Sequence, residues 1–388
     1  MGQKFKRTPF GEIPVDWETK NLKEMGPVTD GDWILTSDYS ATGVRLLQIG
    51  DIGVGRFIGK SKRFISEERA RELGCNLLNA GDILISRMPD PIGRACILPE
   101  LDGPSITAVD VAIWRPDTTT TDRRFLTYCL NSSNWFALVG SYAAGSTRTR
   151  ISRSLLEAIE IPLPPLREQR RITEILSAVD ERIEKTHSVL EKLRDLKHGV
   201  LQRFFGAGKQ VAKVPEGWQV LPLIKVSTLQ RGVDLPMQSR RSGGVPVYGS
   251  SGILGHHDET EFKGPGVITG RSGTIGQVYF CEGPYWPLNT TLHVVDFHGN
   301  NPRFIALLLA FLRLEQFAAS TGVPSLNRNF VHPVLVAVPP LKDQEHLVKI
   351  IEYSDRQILA EEAILISAKK LRDSLMQALL VGKVRTIK

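Results

Sequence analysis

The sequence predicts an α+β fold made twice: two β-rich heads related by a pseudo-two-fold internal repeat, separated by two long antiparallel helices that form a coiled coil. Three observations predict it. Residues 161–183 read IPLPPLREQRRITEILSAVDERI and residues 336–358 read VAVPPLKDQEHLVKIIEYSDRQI, with Pro165 matching Pro340, Gln169 matching Gln344 and Asp180 matching Asp355 at a constant offset of 175. A Pro-x-x-Trp phrase opens each half, IPVDWE with Trp17 and VPEGWQ with Trp218. After each Pro-Pro-Leu the apolar residues settle into steps of three and four, the spacing of a helical seam.

Within each half the elements follow in the same order. Residues 81–97, GDILISRMPDPIGRACI, and residues 266–280, GVITGRSGTIGQVYF, each give an apolar strand, an Arg, an Ile-Gly and another strand. Short apolar runs broken by Gly and Pro read as strands and turns. An apolar helical stretch follows at 124–139 and at 302–319, ending in YAAGSTRTRIS around Gly145 and FAASTGVPSLN around Gly322. A last strand, 158–163 or 334–338, leads into the Pro-Pro-Leu.

The first long helix takes its seam from Ile175, Val179, Ile183, Val189 with Leu190, Leu193, Leu196, Val200 and Phe204. Pro164 and Pro165 suit its start, and Gly206 and Gly208 its end. About 40 residues make roughly 60 Å of helix. The second uses Leu347, Ile350, Ile351, Ile358, Leu365, Ala368, Leu371, Leu375 and Leu379 and stops at Gly382. Leu-Arg-Asp recurs at 193 and 371, an offset of 178, which predicts three extra residues in the second helix, a stammer. Two apolar seams are best buried against each other, giving a dumbbell of two heads on a helical bar. The predicted boundaries are 1–163, 164–206, 207–338 and 339–388.

Composition narrows the class. The 388 residues are 41% hydrophobic and 23% charged, ordinary for a soluble globular protein. No apolar run approaches the roughly 18–20 residues of a membrane span. The start, MGQKFKRTPFGEIP, is basic and has no apolar stretch of a signal peptide. Cys75, Cys96, Cys129 and Cys281 are scattered without a CxxC pair, so they read as reduced cysteines of a cytoplasmic protein. A net charge of +7 is a moderate invitation to nucleic acid.

The doubled order of head, PPL-x-[ED]-Q helix, Pro-x-x-Trp, head and second PPL-x-[ED]-Q helix resembles the specificity subunit of type I restriction-modification enzymes. The residues that carry the likeness are IPVDWE at 13–18, GDILISR at 81–87, Ile92-Gly93, PLPPLREQRRI at 162–172, VPEGWQ at 214–219, GVITGRSGTIG at 266–276 and VPPLKDQ at 338–344. The resemblance covers essentially the whole chain. It implies that each head is a target-recognition domain reading one half of a split site in double-stranded DNA. It implies that the helices set the spacer and dock two DNA methyltransferase subunits, and that two ATP-driven translocase/nuclease (restriction) subunits can join. S-adenosylmethionine, ATP and Mg then belong to those partners, and no cofactor is expected on this chain. A DNA-binding specificity or scaffold protein of another phage-defence system, or one acting without a methyltransferase, is the alternative.

The residues offer no catalysis of their own. Phe204-Phe205-Gly206-Ala207-Gly208 has the look of a methyl-donor loop, but it ends a helix where that loop should open one. There is no GxxxxGK[ST] phosphate loop. His256-His257-Asp258 lacks a placed third ligand and reads as a solvated loop. For DNA the first head offers Lys60, Lys62, Arg63, Arg87, Arg94, Arg148, Arg150 and Arg153, and the second Arg240, Arg241, Tyr248, Ser250, Ser251, Arg271 and Arg328. Arg suits this role because its guanidinium forks onto guanine or phosphate. Arg87 and Arg271 occupy equivalent places, so a bracing role stands beside the reading role; Trp17 and Trp218 read as core anchors. Arg167, Glu168, Gln169, Lys342, Asp343 and Gln344 recur at both helix starts. They suit either docking of identical partners or simple capping, with the acid complementing the helix dipole.

Overall fold

The structure, a computed structural model, describes residues 4–143, 149–206, 214–319 and 324–386. The chain forms two compact units, one of Met1–Lys185 with Ile364–Lys388 and one of Thr186–Ala363. Each unit holds one head, one end of the first long helix and the opposite end of the second.

In the first unit a four-stranded antiparallel sheet runs Val28–Asp30, Val111–Trp114, Ile83–Ser86, Ala95–Ile97. Val111–Trp114 and Ile83–Ser86 are buried throughout, as expected of apolar strands covered on both faces. A second sheet runs Ser105–Thr107, Val44–Leu47, Arg63–Ile65, Tyr39–Ser40. The expected helix at 124–139 is two helices, Arg123–Cys129 and Ser133–Tyr142. Asp122 and Ser132 each turn a side chain onto the backbone N–H of Phe125 and Trp135, so each starts a helix of its own.

The strand that follows Trp17, Glu18–Asn21, pairs antiparallel with Glu160–Leu163, the strand that leads into the Pro-Pro-Leu. The two repeated phrases are therefore neighbours in space. Phe10, Trp17, Trp114, Phe125 and Trp135 fill the core, and Met376, Leu379, Leu380 and Val381 of the second long helix and its end complete it.

The second unit repeats this plan. Its main sheet runs Thr228–Arg231, Thr291–Asp296, Gly266–Gly270, Val278–Cys281, and Gln219–Pro222 pairs with Leu335–Val338. A helix spans Pro302–Phe311, capped by Asn301 and with proline in its first turn. The helical stretch expected as far as 319 ends there. Arg313 takes a left-handed backbone, φ 51°, and a short 3-10 turn, Leu314–Phe317, leads into the strand Ala318–Ala319. Phe205 at the end of the first long helix packs with Phe304 and Phe311, the counterpart of Leu380 in the other core.

The long helices span Leu166–Gly206 and Leu341–Leu379. They pair as an antiparallel coiled coil within each unit: Asp180 with Arg372 at 2.5 Å in the first, Lys197 with Asp355 at 2.5 Å in the second. Asp180 and Asp355 are repeat equivalents, and so are Lys197 and Arg372.

Burial corrects the seam. In the first helix the covered positions recur every seven residues, as Leu176, Ile183, Leu190 and as Ile172, Val179, Thr186, Leu193, Val200. In the second they are Ile351, Ile358, Leu365 and Leu347, Ser354, Ala368, Leu375. The offset stays at 175 along both helices, and there is no stammer. Leu196 and Leu371 are 61% and 52% exposed and are themselves equivalent, so the shared Leu-Arg-Asp at offset 178 is coincidence. Val189, Leu196, Ile350 and Leu371 leave the predicted seam.

Candidate nucleic-acid interface

The two helix starts are built alike around a glutamine. Gln169 accepts the backbone N–H of Asp122 at 2.8 Å and donates to the Pro164 carbonyl at 2.8 Å. Gln344 accepts from the N–H of Asn301 at 2.9 Å and donates to the Pro339 carbonyl at 3.0 Å. Asp122 and Asn301 are the caps of head helices. Each glutamine thus fastens a head to its long helix and is itself buried. This accounts for the Q of PPL-x-[ED]-Q and corrects its assignment as a docking residue.

Glu168 is buried as well. It accepts from the Trp17 indole at 3.1 Å and takes both arms of Arg385, at 2.8 and 2.9 Å. Arg385 also pairs with Asp16, and these acids hold its proton more tightly than usual. Its equivalent Asp343 is exposed, as are Arg167 and Lys342. The helix-start surface open to a partner is therefore Arg167, Lys342 and Asp343. Trp17 is a core anchor as expected, whereas Trp218 is only half-buried and packs tilted against Phe204 with ring centroids 5.0 Å apart.

In the heads, Arg87 and Arg271 follow equivalent strands. The Arg87 guanidinium donates to the Val109 carbonyl and that of Arg271 to the Asn289 carbonyl, at 2.5 and 2.9 Å. Their backbone N–H groups bond the carbonyls of Asp110 and Thr290, and their carbonyls accept from Ile151 and Leu326. Both brace the fold in the same way. Arg94 is buried too and donates to the carbonyls of Ile49, Ile52, Met88 and Pro91. Tyr248 is buried, its hydroxyl pushed up to about 12 by burial. Arg87, Arg94 and Tyr248 are therefore core residues of the heads rather than surface readers.

Lys60, Lys62 and Arg63 are exposed, with Arg63 over the Tyr39 ring. Arg150 and Arg153 are partly exposed and ion-paired, to Asp110 at 3.1 Å and to Asp30 at 3.6 Å. Arg148 lies outside the described residues. In the second head Ser251 and Arg328 are exposed, Ser250 and Arg240 half-buried. Arg241 pairs with Asp258 at 2.6 Å and with Glu259, and its backbone N–H bonds His257. His257, Asp258 and Glu259 converge closely enough to hold a cation, but the guanidinium already occupies the carboxylates. His257 is buried at the end of the strand Gly252–His257, a correction to the solvated-loop reading of that residue.

Two surface groups escaped the sequence reading. Trp33 is 70% exposed on the loop after Val28–Asp30. Arg231 ends the strand Thr228–Arg231 and is exposed beside Arg271. Alignment of the two heads strand by strand would have flagged Arg231, because its counterpart is the acid Asp30.

A β-rich head bearing exposed cations, repeated and fastened each time to a long helix by a buried glutamine, defines a two-headed binding protein. The family model for the type I restriction modification DNA specificity domain matches residues 14–194 and again residues 215–370. The chain belongs to that family and carries its domain twice. Among similar curated proteins, the type I restriction enzyme MjaIX specificity subunit of Methanocaldococcus jannaschii is 23% identical over 98% of this chain and 96% of its own length. The MjaVIII specificity subunit of the same organism is 29% identical over 51% of this chain and 47% of its own. The crystal structure of a type I restriction-modification S subunit from M. genitalium shares the fold, with a TM-score of 0.60 at 18% identity over 98% of this chain and 99% of that one. A chain solved in a study of complex assembly and conformational transition of a type I system gives 0.59 at 18% identity over 96% and 99%.

Proposed function

We propose that the chain is the DNA-recognition subunit of a type I restriction-modification complex. Each head reads one half of a bipartite, asymmetric site in double-stranded DNA, and the long helices set the spacer. The two halves differ because the heads share a frame and differ in their loops. The single observation that carries the reading is the specificity domain matched twice, each copy ending in its own long helix.

The helices dock two methyltransferase subunits, and two restriction/translocase subunits join through them. Identical partners need equivalent surfaces. Val189 with Leu196 and Ile364 with Leu371 support this, since they leave apolar side chains exposed at equivalent positions of the two helices. S-adenosylmethionine, ATP and Mg belong to the partners, and the assembly works in the cytoplasm.

The test is co-expression with the methyltransferase of the same locus, followed by sequencing of methylated bases across a genome. The expected result is one split, asymmetric motif, and exchange of residues 207–338 for another head should change one half of it. Methylation of continuous or palindromic sites, or none, would overturn the reading.

A further inference from the structure

The frame around Arg87 and Arg271 carries different charge in the two heads. In the first, three arginines meet three acids: Arg87 with Asp30 at 2.9 Å, Arg150 with Asp110 at 3.1 Å, Arg153 with Asp30 at 3.6 Å and with Glu157 at 3.9 Å. The cluster is electrically neutral.

Each acid has a counterpart in the second head, and none of the counterparts is acidic. Asp30 ends its strand before Gly31, whose Cβ position is filled by the Ala108 carbonyl; Arg231 ends its strand before Gly232, whose Cβ position is filled by the Leu288 carbonyl. Asp110 and Thr290 accept the backbone N–H of the two framing arginines. Arg153 and Arg328 are the first residues of short helices capped by Ser152 and Asn327. Four residues further on stand Glu157 and His332, and His332 spends its Nε2 on the N–H of Leu229 at 3.0 Å.

The second head is left with Arg231, Arg271 and Arg328. Among the described residues no carboxylate lies within ion-pair distance of any of them, in contrast to the first head. Arg328 reaches the Leu229 carbonyl at 3.4 Å, two residues from Arg231 on the same strand. Arg231 is near enough to Arg271 that, after burial, its charge is what lowers the Arg271 pKa. Arg231 and Arg271 repel each other, with Arg328 bonded to the Arg231 strand; an anion relieves that repulsion, and a phosphate takes the guanidinium fork well.

Resting on the DNA-recognition reading, we infer that Arg231, with Arg271 and Arg328, is a DNA-phosphate site of the second head that the first head lacks. The sequence-independent, salt-sensitive part of affinity is then shared unequally. Arg231 anchors the duplex and reads no base, so the second head contributes more of the counterion release.

The experiment uses the full chain with its methyltransferase and measures Kd for a mixed-sequence 30-base-pair duplex across a salt series. Arg231→Gln should weaken binding and flatten the log Kd against log salt slope by about 1. Arg231→Lys should restore the slope, and Arg231→Asp, which installs the first head's acid, should flatten it further. The methylated motif should be unchanged in all three. An unchanged slope in Arg231→Gln would overturn the inference, and so would relaxed specificity at one base with the slope intact. If the wild-type complex bound no duplex at all, the DNA-recognition reading itself would fall. Circular dichroism of each variant separates loss of binding from loss of fold.

Discussion

Both heads close the same way, with the strand after the Pro-x-x-Trp laid against the strand before the Pro-Pro-Leu and a buried glutamine tying in a head helix. They part company one layer further out. At the helix start the first unit locks a buried Glu168 with Arg385, while the second leaves Asp343 exposed. On the strand ends the first neutralises its arginines and, among the described residues, the second does not. The difference teaches that the repeat preserves backbone contacts and varies charge. The buried features shared by both copies do structural work, and the differences between copies are where the two heads can differ in what they bind.

The largest contrast should come from the helix starts. Arg385→Met leaves the Glu168 carboxylate buried without its cation, which should cost about 3 kcal/mol in the first unit. Asp343→Asn in the second should cost under about 0.5 kcal/mol, as surface changes do. Urea unfolding of the two variants checks this. Equal losses would mean the two starts are energetically alike despite their different burial.

Acid should separate the units next. All eight histidines lie between residues 187 and 346, inside the second unit. Burial lowers His293 to about 4, against about 6.5 in an unfolded chain. Between those values the unfolded chain binds the extra proton, so stability of the second unit falls as pH drops from about 6.5 toward 4, by up to about 3 kcal/mol. The strand position that His293 fills is held by Ile113 in the first head. Hydrogen exchange at pH 7 and pH 5 should show the second unit loosening while the first holds, and His293→Leu should remove most of the difference. Parallel loosening of both units would break the comparison.

The smallest effects test the register. Leu196→Ala and Leu371→Ala should each change stability by under about 0.5 kcal/mol, whereas Leu190→Ala, on a covered position, should cost about 2–4 kcal/mol. A large loss at Leu371 alone would restore the three-residue slip and end the equivalence of the two helices.

Much of the frame was legible because the repeated phrases are the ones that touch. Trp17 and Leu163, or Trp218 and Val338, are far apart in sequence but flank one ladder, so selection on that ladder writes the same words twice. The seam was legible in period but not in phase. Spacing counts leucines and cannot say which face of a 3.6-residue turn is covered, and so Leu196 and Leu371 misled. The site was least legible. Arg87 and Arg94 look like Arg150 in a sequence, yet they spend their guanidiniums on backbone carbonyls, Arg87 on that of Val109 and Arg94 on those of Ile49 and Ile52 as well as its neighbours Met88 and Pro91. Arg231 gained its meaning only from strand pairing, which sets it beside an arginine forty positions on.

The core of the first unit includes Met376, Leu379, Leu380 and Val381, and its Glu168 waits for Arg385. These residues leave the ribosome after every residue of the second unit, Thr186–Ala363. During synthesis the head that is translated first is thus the one completed last, held with an open apolar face while its successor closes. Completion of the first unit therefore has to wait for synthesis of the whole of the second.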